Sequence, residues 1–343
     1  MHAGRRPKKW ILNAAKTKRT GACGASTLIL IITNKRDVSA DFVIRELQRR
    51  GQTYRRINTE DLAEAACSCE VPPFTWQIES EVKGHLRLED VKVVWYRRPG
   101  NPFEELPQAA KPSVAVQRFV TEQWATWLEA LELAPECRWV NHPENSARFE
   151  NKIRQLRLAH ELGFAIPQTL VSNDPERIRS FAAERKTVAK ALFAPLLEGE
   201  TEDRFVFAEV ICANDLIDDS ALRAAPAIFQ EAIIPKHDYR VTVVGDQLFA
   251  VRIGLPTGAV DWRVHQQGVT FTRLDLPPEV EHRCFEFVRR AGLVFGAIDL
   301  LERDGVWYFL EINPSGEWGW LQQPVGVPIA EALCDTFTAL ALT

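Results

Sequence analysis

The sequence predicts an α/β protein built from several units, and three observations carry that prediction. Short apolar, β-branched runs alternate with amphipathic helical stretches through the first half of the chain. Two later pairs of apolar runs are each divided by a Gly-Asp or Asp-Gly step, which reads as two hairpins. Carboxylates and basic residues sit inside apolar runs as well as in polar loops, and an idle charge there is costly.

With 343 residues the chain can form two or three globular units sharing a core. Apolar residues make up 46% and charged residues 26%, an ordinary balance for a soluble globular protein. No apolar run reaches about 18 residues, so no membrane span is expected. The first 25 residues lack the apolar centre of a secretory signal. Of the 7 cysteines only Cys67 and Cys69 are close, and none has zinc-like spacing. That pattern predicts a reducing, cytoplasmic setting without disulfides or structural zinc. The net charge is −4, yet residues 1–25 are strongly basic and hold no acid. They read as a disordered extension or an over-long start. The remainder is acidic, which argues against nucleic acid as the main partner.

In chain order, 27–33 (TLILIIT) is read as a buried strand, 41–50 as a helix closed by Gly51, and 54–58 and 91–96 as further strands. A long amphipathic helix is expected over 116–133. These elements form an α/β unit over 26–145. A second unit spans 146–235, with helices at 152–162 and 175–184 and strands at 169–171 and 187–191. In the first of these helices Ile153, Leu156, Ala159 and Leu162 should share the buried face. Residues 198–203 read as a mobile acidic loop, and 229–235 (FQEAIIP) as the connector to a third unit, 236–343. That unit should hold a hairpin over 241–251 about Gly245-Asp246, a helix at 278–292, and strands 294–301 and 306–313 about Arg303-Asp304-Gly305.

The last hairpin carries the densest chemistry. Strict alternation puts Trp307, Phe309, Glu311 and Asn313 on one face, with Tyr308, Leu310 and Ile312 on the other. Folding at Asp304-Gly305 brings Asp299 opposite Glu311, or within one residue of it. Two carboxylates that close repel unless a cation lies between them. Oxygen-only ligands suit Mg²⁺, which takes one or two carboxylates plus substrate phosphates. The absence of His and Cys argues against zinc. A solvent-facing edge residue is the alternative for Glu311, but its apolar surroundings disfavour that.

A nucleoside triphosphate also needs cationic side chains. Lys152 opens a helix directly after Asn151, although alone it reads as readily as a solvated charge. Lys190 ends a short apolar strand, so its ammonium emerges from a half-buried element. In the connector, Gln230 and Glu231 precede Ile233; a carboxylate there can accept from the adenine amine while main-chain groups near Ile233 read the ring edge. Asp238 and Arg240 share one strand face, either as an ion pair or as a nucleotide contact and a clamp for phosphate. Arg252, on the partner strand, is expected to approach the same region. Trp318 and Trp320 either line a peptide site or are core aromatics.

Taken in order, these segments resemble the ATP-grasp superfamily. WYRRP at 95–99, ENKIRQLRLAHELGFAIPQTLVSNDP at 150–175, QEAIIPKHDYRVTVVGD at 230–246 and EINPSGEWGWLQ at 311–322 are similar to the microviridin-type graspetide ligases. The resemblance implies the ATP-grasp fold: a pre-ATP-grasp α/β domain, a central α+β domain and a C-terminal α+β domain. It implies ATP held by Lys152, Lys190, Glu231 and Ile233, and magnesium, as two ions, held by Asp299, Glu311 and Asn313. Arg240, and by extension Arg252, would stabilise the phosphoryl group. The implied partner is a ribosomal precursor peptide with a leader and a core containing Asp, Glu, Thr, Ser or Lys. The implied product is a macrocyclic ester or amide, and the implied assembly a homodimer. Two other functions remain open on sequence: ligation of an amino acid to a small molecule or protein C-terminus, and a silent scaffold that binds nucleotide or leader. The segment after Lys190 has only Gly199, so no glycine-rich phosphate loop is visible. The basic N-terminus and the Cys67/Cys69 pair have no place in the family pattern.

Overall fold

The structure, a computed structural model, describes residues 28–81, 84–134, 137–193, 196–197, 204–205, 208–254 and 268–343. The expectations for the basic N-terminus and for 198–203 lie outside the described residues.

The first part holds β1 (Leu28–Thr33), α1 (Val38–Arg49), β2 (Thr53–Asn58), β3 (Ala66–Glu70), β4 (Thr75–Ser80), β5 (Gly84–Arg87), β6 (Val91–Tyr96), α2 (Val114–Glu129) and β7 (Arg138–Val140). A parallel sheet runs in the order β2-β1-β6-β7. Its apolar β1 is buried along almost its whole length, as parallel strands covered on both faces must be. Helix α1 starts three residues earlier than the sequence reading, because Asp37 caps it by accepting from the Ala40 N–H. Strands β3–β5 form a separate antiparallel sheet that the sequence reading missed. Their polar-apolar alternation is short and interrupted by two prolines, which masks the strand period.

Next come α3 (Pro143–Phe149), α4 (Lys152–Glu161), β8 (Thr169–Ser172), α5 (Pro175–Glu184), β9 (Thr187–Lys190), β10 (Leu196–Leu197), β11 (Arg204–Phe205), β12 (Glu209–Ile211), α6 (Asp219–Ala224) and β13 (Ala227–Glu231). Strands β12-β9-β13-β8 make one antiparallel sheet. The expected connector 229–235 is therefore corrected: its first residues end a central strand, paired on both sides. An apolar run before proline reads equally as linker or strand, and only the pairing decides. In α4 the buried residues are Gln155, Leu158 and Ala159, whereas Ile153 is exposed. The buried face is thus turned toward Gln155, whose amide satisfies the Ile312 main chain and so can be buried.

The last part holds β14 (His237–Val244), β15 (Gln247–Gly254), β16 (Thr270–Leu274), α7 (Pro278–Arg290), β17 (Phe295–Arg303), β18 (Val306–Asn313), α8 (Gly319–Gln322) and α9 (Ile329–Ala341). Its sheet runs β16-β15-β14-β17-β18. Both hairpins turn where expected; Asp304 and Gly305 adopt φ of 53° and 80°, the sign a two-residue hairpin loop needs. One face packs on α7 through Val280, Cys284 and Phe287, with Tyr239, Val241, Ile298, Leu300 and Phe309. The opposite face joins α9 and the β1 sheet through Val251, Ala297, Trp318, Leu333 and Phe337.

Helices α1 and α9 are also linked by charge. Glu46, 8% exposed, accepts from Arg49 and Arg50, and Arg50 reaches Asp335 at 2.5 Å. The Arg49 hydrogen bond, opposed by desolvation and aided by Arg50, lowers the Glu46 carboxyl from 4.5 to about 2. A lowered folded-state value means stability that is complete above the unfolded value and lost as pH falls toward about 2. Glu46→Gln should cost about 1–2 kcal/mol at pH 7. Denaturant melts at descending pH should show the gap to the unmodified chain shrinking below about pH 4.5 and closing near 2.

Candidate functional site

The carboxylate hairpin is where side chains converge. Asp299 on β17 stands directly opposite Glu311 on β18, and Asn313 opposite Ala297. The register slips by one residue between Asp299 and Leu300, so Leu310 is left over. This β-bulge corrects the expected alternation. Trp307 and Phe309 lie with the α7 core, while Glu311 and Asn313 emerge on the opposite face. Without the bulge Glu311 would share a face with Phe309, which is 0% exposed.

Each carboxylate meets a cation. Arg240, directly opposite Asp299 on β14, donates from Nε at 2.7 Å and from Nη2 at 3.5 Å. The two side chains are only 9% and 14% exposed, so each needs the other's charge. A third Arg240 nitrogen lies 3.5 Å from the Glu317 carbonyl, and its guanidinium lies 5.7 Å from the Trp320 ring. Lys152 Nζ lies 3.4 Å from Glu311 and donates to the Ala191 carbonyl at 3.2 Å. Lys152 therefore spans the gap between the C-terminal end of β9 and β18. It stands there because Asn151 caps α4 and fixes where the helix starts.

On the β8-β9-β13 sheet, Phe229 and Ala189 pack toward α5. Alternation places Lys190, which pairs with Ile228, and Gln230 on the other face. The Gln230 amide donates to the Thr169 hydroxyl at 2.8 Å. Glu231 ends β13, its N–H given to the Gln168 carbonyl, and Ile233 is buried just beyond. Asp238 shares the Arg240 face and pairs with Lys236 at 2.6 Å, while Arg240 pairs with Asp299. Arg252 is a correction. It pairs across the hairpin with Tyr239, while Arg240 pairs with Val251. Arg252 thus lies on the opposite sheet face from Arg240, beside Tyr239 and away from Asp299. One residue of register decides this, and sequence spacing does not reveal it.

Trp318 is a core residue at 0% exposure, whereas Trp320 lies beside Arg240 and donates to the Glu317 carbonyl at 3.2 Å.

Three residues that sequence reasoning did not select hold the carboxylate segment in place. Gln155 donates to the Ile312 carbonyl at 2.9 Å and accepts from its N–H at 3.0 Å. Asn141 donates to the Phe295 and Pro314 carbonyls and accepts from the N–H groups of Val294 and Phe295. Arg97, from WYRRP, reaches the Gly316 carbonyl. For Gln155 and Asn141 the local sequence, KIRQLRLAH and RWVNHPEN, gives no signal of burial, and only the folded chain shows what their amides satisfy.

The donor set fits magnesium. Two carboxylates face one another with Asn313 two residues on along the same strand face, its Oδ1 accepting from the Ser315 N–H at 2.9 Å, and in this structure a side-chain cation neutralises each carboxylate. Among the described residues no three His, Cys, Asp or Glu form a closed cage. An ion held here would thus take further oxygens from a phosphate. A cleft of about 620 Å³ lined by Phe74, Trp76, Arg87 and Cys137 lies on the β3–β5 sheet, apart from these residues.

Residues 28–147 match the family described as the MvdD pre-ATP grasp domain. Macrocyclase MdnC from Microcystis aeruginosa MRC, solved bound with precursor peptide MdnA, is 28% identical, with 91% of this chain and 100% of that chain covered and a TM-score of 0.80. The Chryseobacterium gregarium RiPP-associated ATP-grasp ligase, solved with ADP and a leader and core peptide, is 25% identical over 91% and 97% at a TM-score of 0.80. Macrocyclase MdnB from the same Microcystis strain is 27% identical over 91% and 99% at 0.73. No curated protein matches the sequence. No helix among the described residues is long and apolar enough to cross a membrane.

Proposed function

We propose that this ATP-grasp ligase, a relative of the graspetide macrocyclases, phosphorylates Asp or Glu side chains of a ribosomal precursor peptide and closes macrocyclic esters or amides with Ser, Thr or Lys side chains of the same peptide. The observation that carries the reading is the facing of Asp299, Glu311 and Arg240 on one sheet, in a chain whose full-length relatives are peptide macrocyclases.

A carboxylate is a poor electrophile, and γ-phosphoryl transfer gives it a good leaving group. Magnesium bound at Asp299, Glu311 and Asn313 would neutralise charge on the phosphate oxygens. Arg240 would donate to the same oxygens, exchanging its bond to Asp299 for one to the transferring group. Lys152, at the start of α4, and Lys190, at the end of β9, would hold the triphosphate. Glu231 and Ile233 would take the adenine at the junction of the two sheets, with Gln230 fixing the strand beneath and Asp238 beside the nucleotide. Packing of the two sheets over the site would exclude the water that hydrolyses an acyl phosphate. These roles assign 26–145, 146–235 and 236–343 to the pre-ATP-grasp, central and C-terminal units.

The test is to incubate the chain with ATP, Mg²⁺ and the precursor peptide encoded nearest its gene, then weigh the peptide. Loss of one or more waters supports macrocyclisation, and fragmentation separates ester from amide. An unchanged mass with ATP turnover on free amino acids would replace this reading by small-molecule ligation, and nucleotide binding without turnover by a scaffold.

A homodimer is part of the proposal. Helix α2 buries only Leu128, leaving Val114, Val116 and Phe119 exposed at 81%, 47% and 62%. Val116 and Phe119, three residues apart, share one face of the helix, and exposed apolar groups of this kind fit a partner surface. Phe119→Glu should weaken self-association by about 2 kcal/mol, read by sedimentation velocity across a concentration series. An unchanged distribution would exclude α2 as the interface.

A further inference from the structure

The WYRRP segment ends β6 with two arginines in opposite settings. The Arg97 side chain is 1% exposed and that of Arg98 is 46% exposed. Arg97 donates from Nε to Asp37 at 2.8 Å, and the Asp37 side chain is 0% exposed. Asp37 also accepts from the Thr33 hydroxyl and caps α1. On this side Arg97 is fixed by the parallel sheet and its first helix. Its other nitrogens lie 3.5 and 3.4 Å from the Gly316 carbonyl, and one lies 3.3 Å from the Glu317 carboxylate. The Trp95 and Trp318 rings flank it at 5.3 and 5.8 Å.

Residues 314–317 are the turn that leaves Asn313. The Gly316 N–H returns to the Asn313 carbonyl at 3.3 Å. A side chain at Gly316 would stand 2.5 Å from the Ala297 Cβ, so the turn packs against β17 as closely as only glycine allows. The Glu317 carbonyl faces Arg240, while its carboxylate accepts from the Ser39 hydroxyl at 2.7 Å and pairs with Arg98. A line of contacts thus runs from a buried ion pair in the N-terminal unit to the turn that carries Asn313 and touches Arg240.

We propose that Arg97 is a positioning residue: it holds the 314–317 turn so that Asn313 and Arg240 are aimed at the metal and phosphate. The inference rests on the magnesium reading of that site. Arg97 contacts neither carboxylate of the site in this structure and acts through Gly316 and Glu317. Its reach explains why a planar, multiply donating cation stands there, since lysine cannot serve Asp37, Gly316 and Glu317 at once.

The test uses the full chain and a fluorescent ADP, titrated with Mg²⁺, alongside a thermal melt. Outer partners of metal ligands typically change affinity 10- to 100-fold, so Arg97→Lys should raise the Mg²⁺ midpoint by about tenfold. ADP affinity without Mg²⁺ should change little, because the adenine junction is untouched. A purely structural role would lower the melting temperature and the binding amplitude while leaving the midpoint in place, and that outcome overturns the proposal. Glu317→Gln keeps the fold testable if Arg97→Lys does not fold, as Glu317 is 41% exposed. It should move the midpoint in the same direction, and Arg98→Gln, which breaks only the outer pair, should not. An equal shift in Arg98→Gln, or none in Glu317→Gln, also overturns the proposal. Failure of the unmodified chain to bind Mg²⁺ and ADP overturns the site reading itself.

Discussion

Asp299→Asn is expected to lower ATP-dependent carboxylate activation by about a thousandfold, close to 4 kcal/mol of lost transition-state stabilisation. Asp299 faces Glu311 on one neighbouring strand and Arg240 on the other, so it is the one position shared by the proposed metal and the proposed clamp. An asparagine oxygen can still accept from Arg240, so the fold should persist with a modest fall in melting temperature. What is lost is the negative charge that attracts a divalent cation. Glu311→Gln should behave similarly, and the double variant should be little worse than either single one, because residues acting as a unit are not additive. The measurement is ADP release in the presence of the precursor peptide, with circular dichroism as the folding control. Activity within tenfold of the unmodified chain, in folded protein, would remove Asp299 from the site.

Arg240→Lys is the second large effect. The guanidinium spans Asp299 and the Glu317 carbonyl with three nitrogens, a geometry that a point ammonium cannot reproduce. An arginine neutralising a transferring phosphoryl group is worth about 10³–10⁵ in rate, and lysine recovers part of the charge. The expected outcome is a fall in kcat of about 10²–10³ with the KM for ATP nearly unchanged, since the interaction strengthens only as charge develops. Arg240→Met should behave differently. It leaves the Asp299 carboxylate, 14% exposed, without its cation, at a cost of about 3–5 kcal/mol in stability. A chevron or urea melt separates the two. If Arg240→Lys instead raises KM and spares kcat, Arg240 binds ground-state nucleotide and is not the clamp.

The hairpin at Asp304-Gly305 was legible in the sequence because local turn chemistry specifies it. Once the turn is fixed, the facing of Asp299 and Glu311 follows from counting residues. Helices α5 and α7 were legible for the same kind of reason: the periodicity and the proline that opens each are local signals. The β3–β5 sheet was not legible, nor was β13 as a central strand. Short strands gain their stability from neighbours distant in sequence, so their own residues say little.

By itself the sequence determined the α/β class, the carboxylate hairpin, and the identity of the charges that meet there. Tertiary structure decided which of those charges share a face. The bulge at Leu310 turned Glu311 away from the core, and one residue of register separated Arg252 from Arg240. Packing also brought in Gln155, Asn141 and Arg97 from three separate elements to fix the turn around Asn313. The physical reason is that side-chain identity and turn preference are local properties of the chain. Sheet register and the satisfaction of buried polar groups depend on contacts across more than 100 residues, and exist only once the chain has folded.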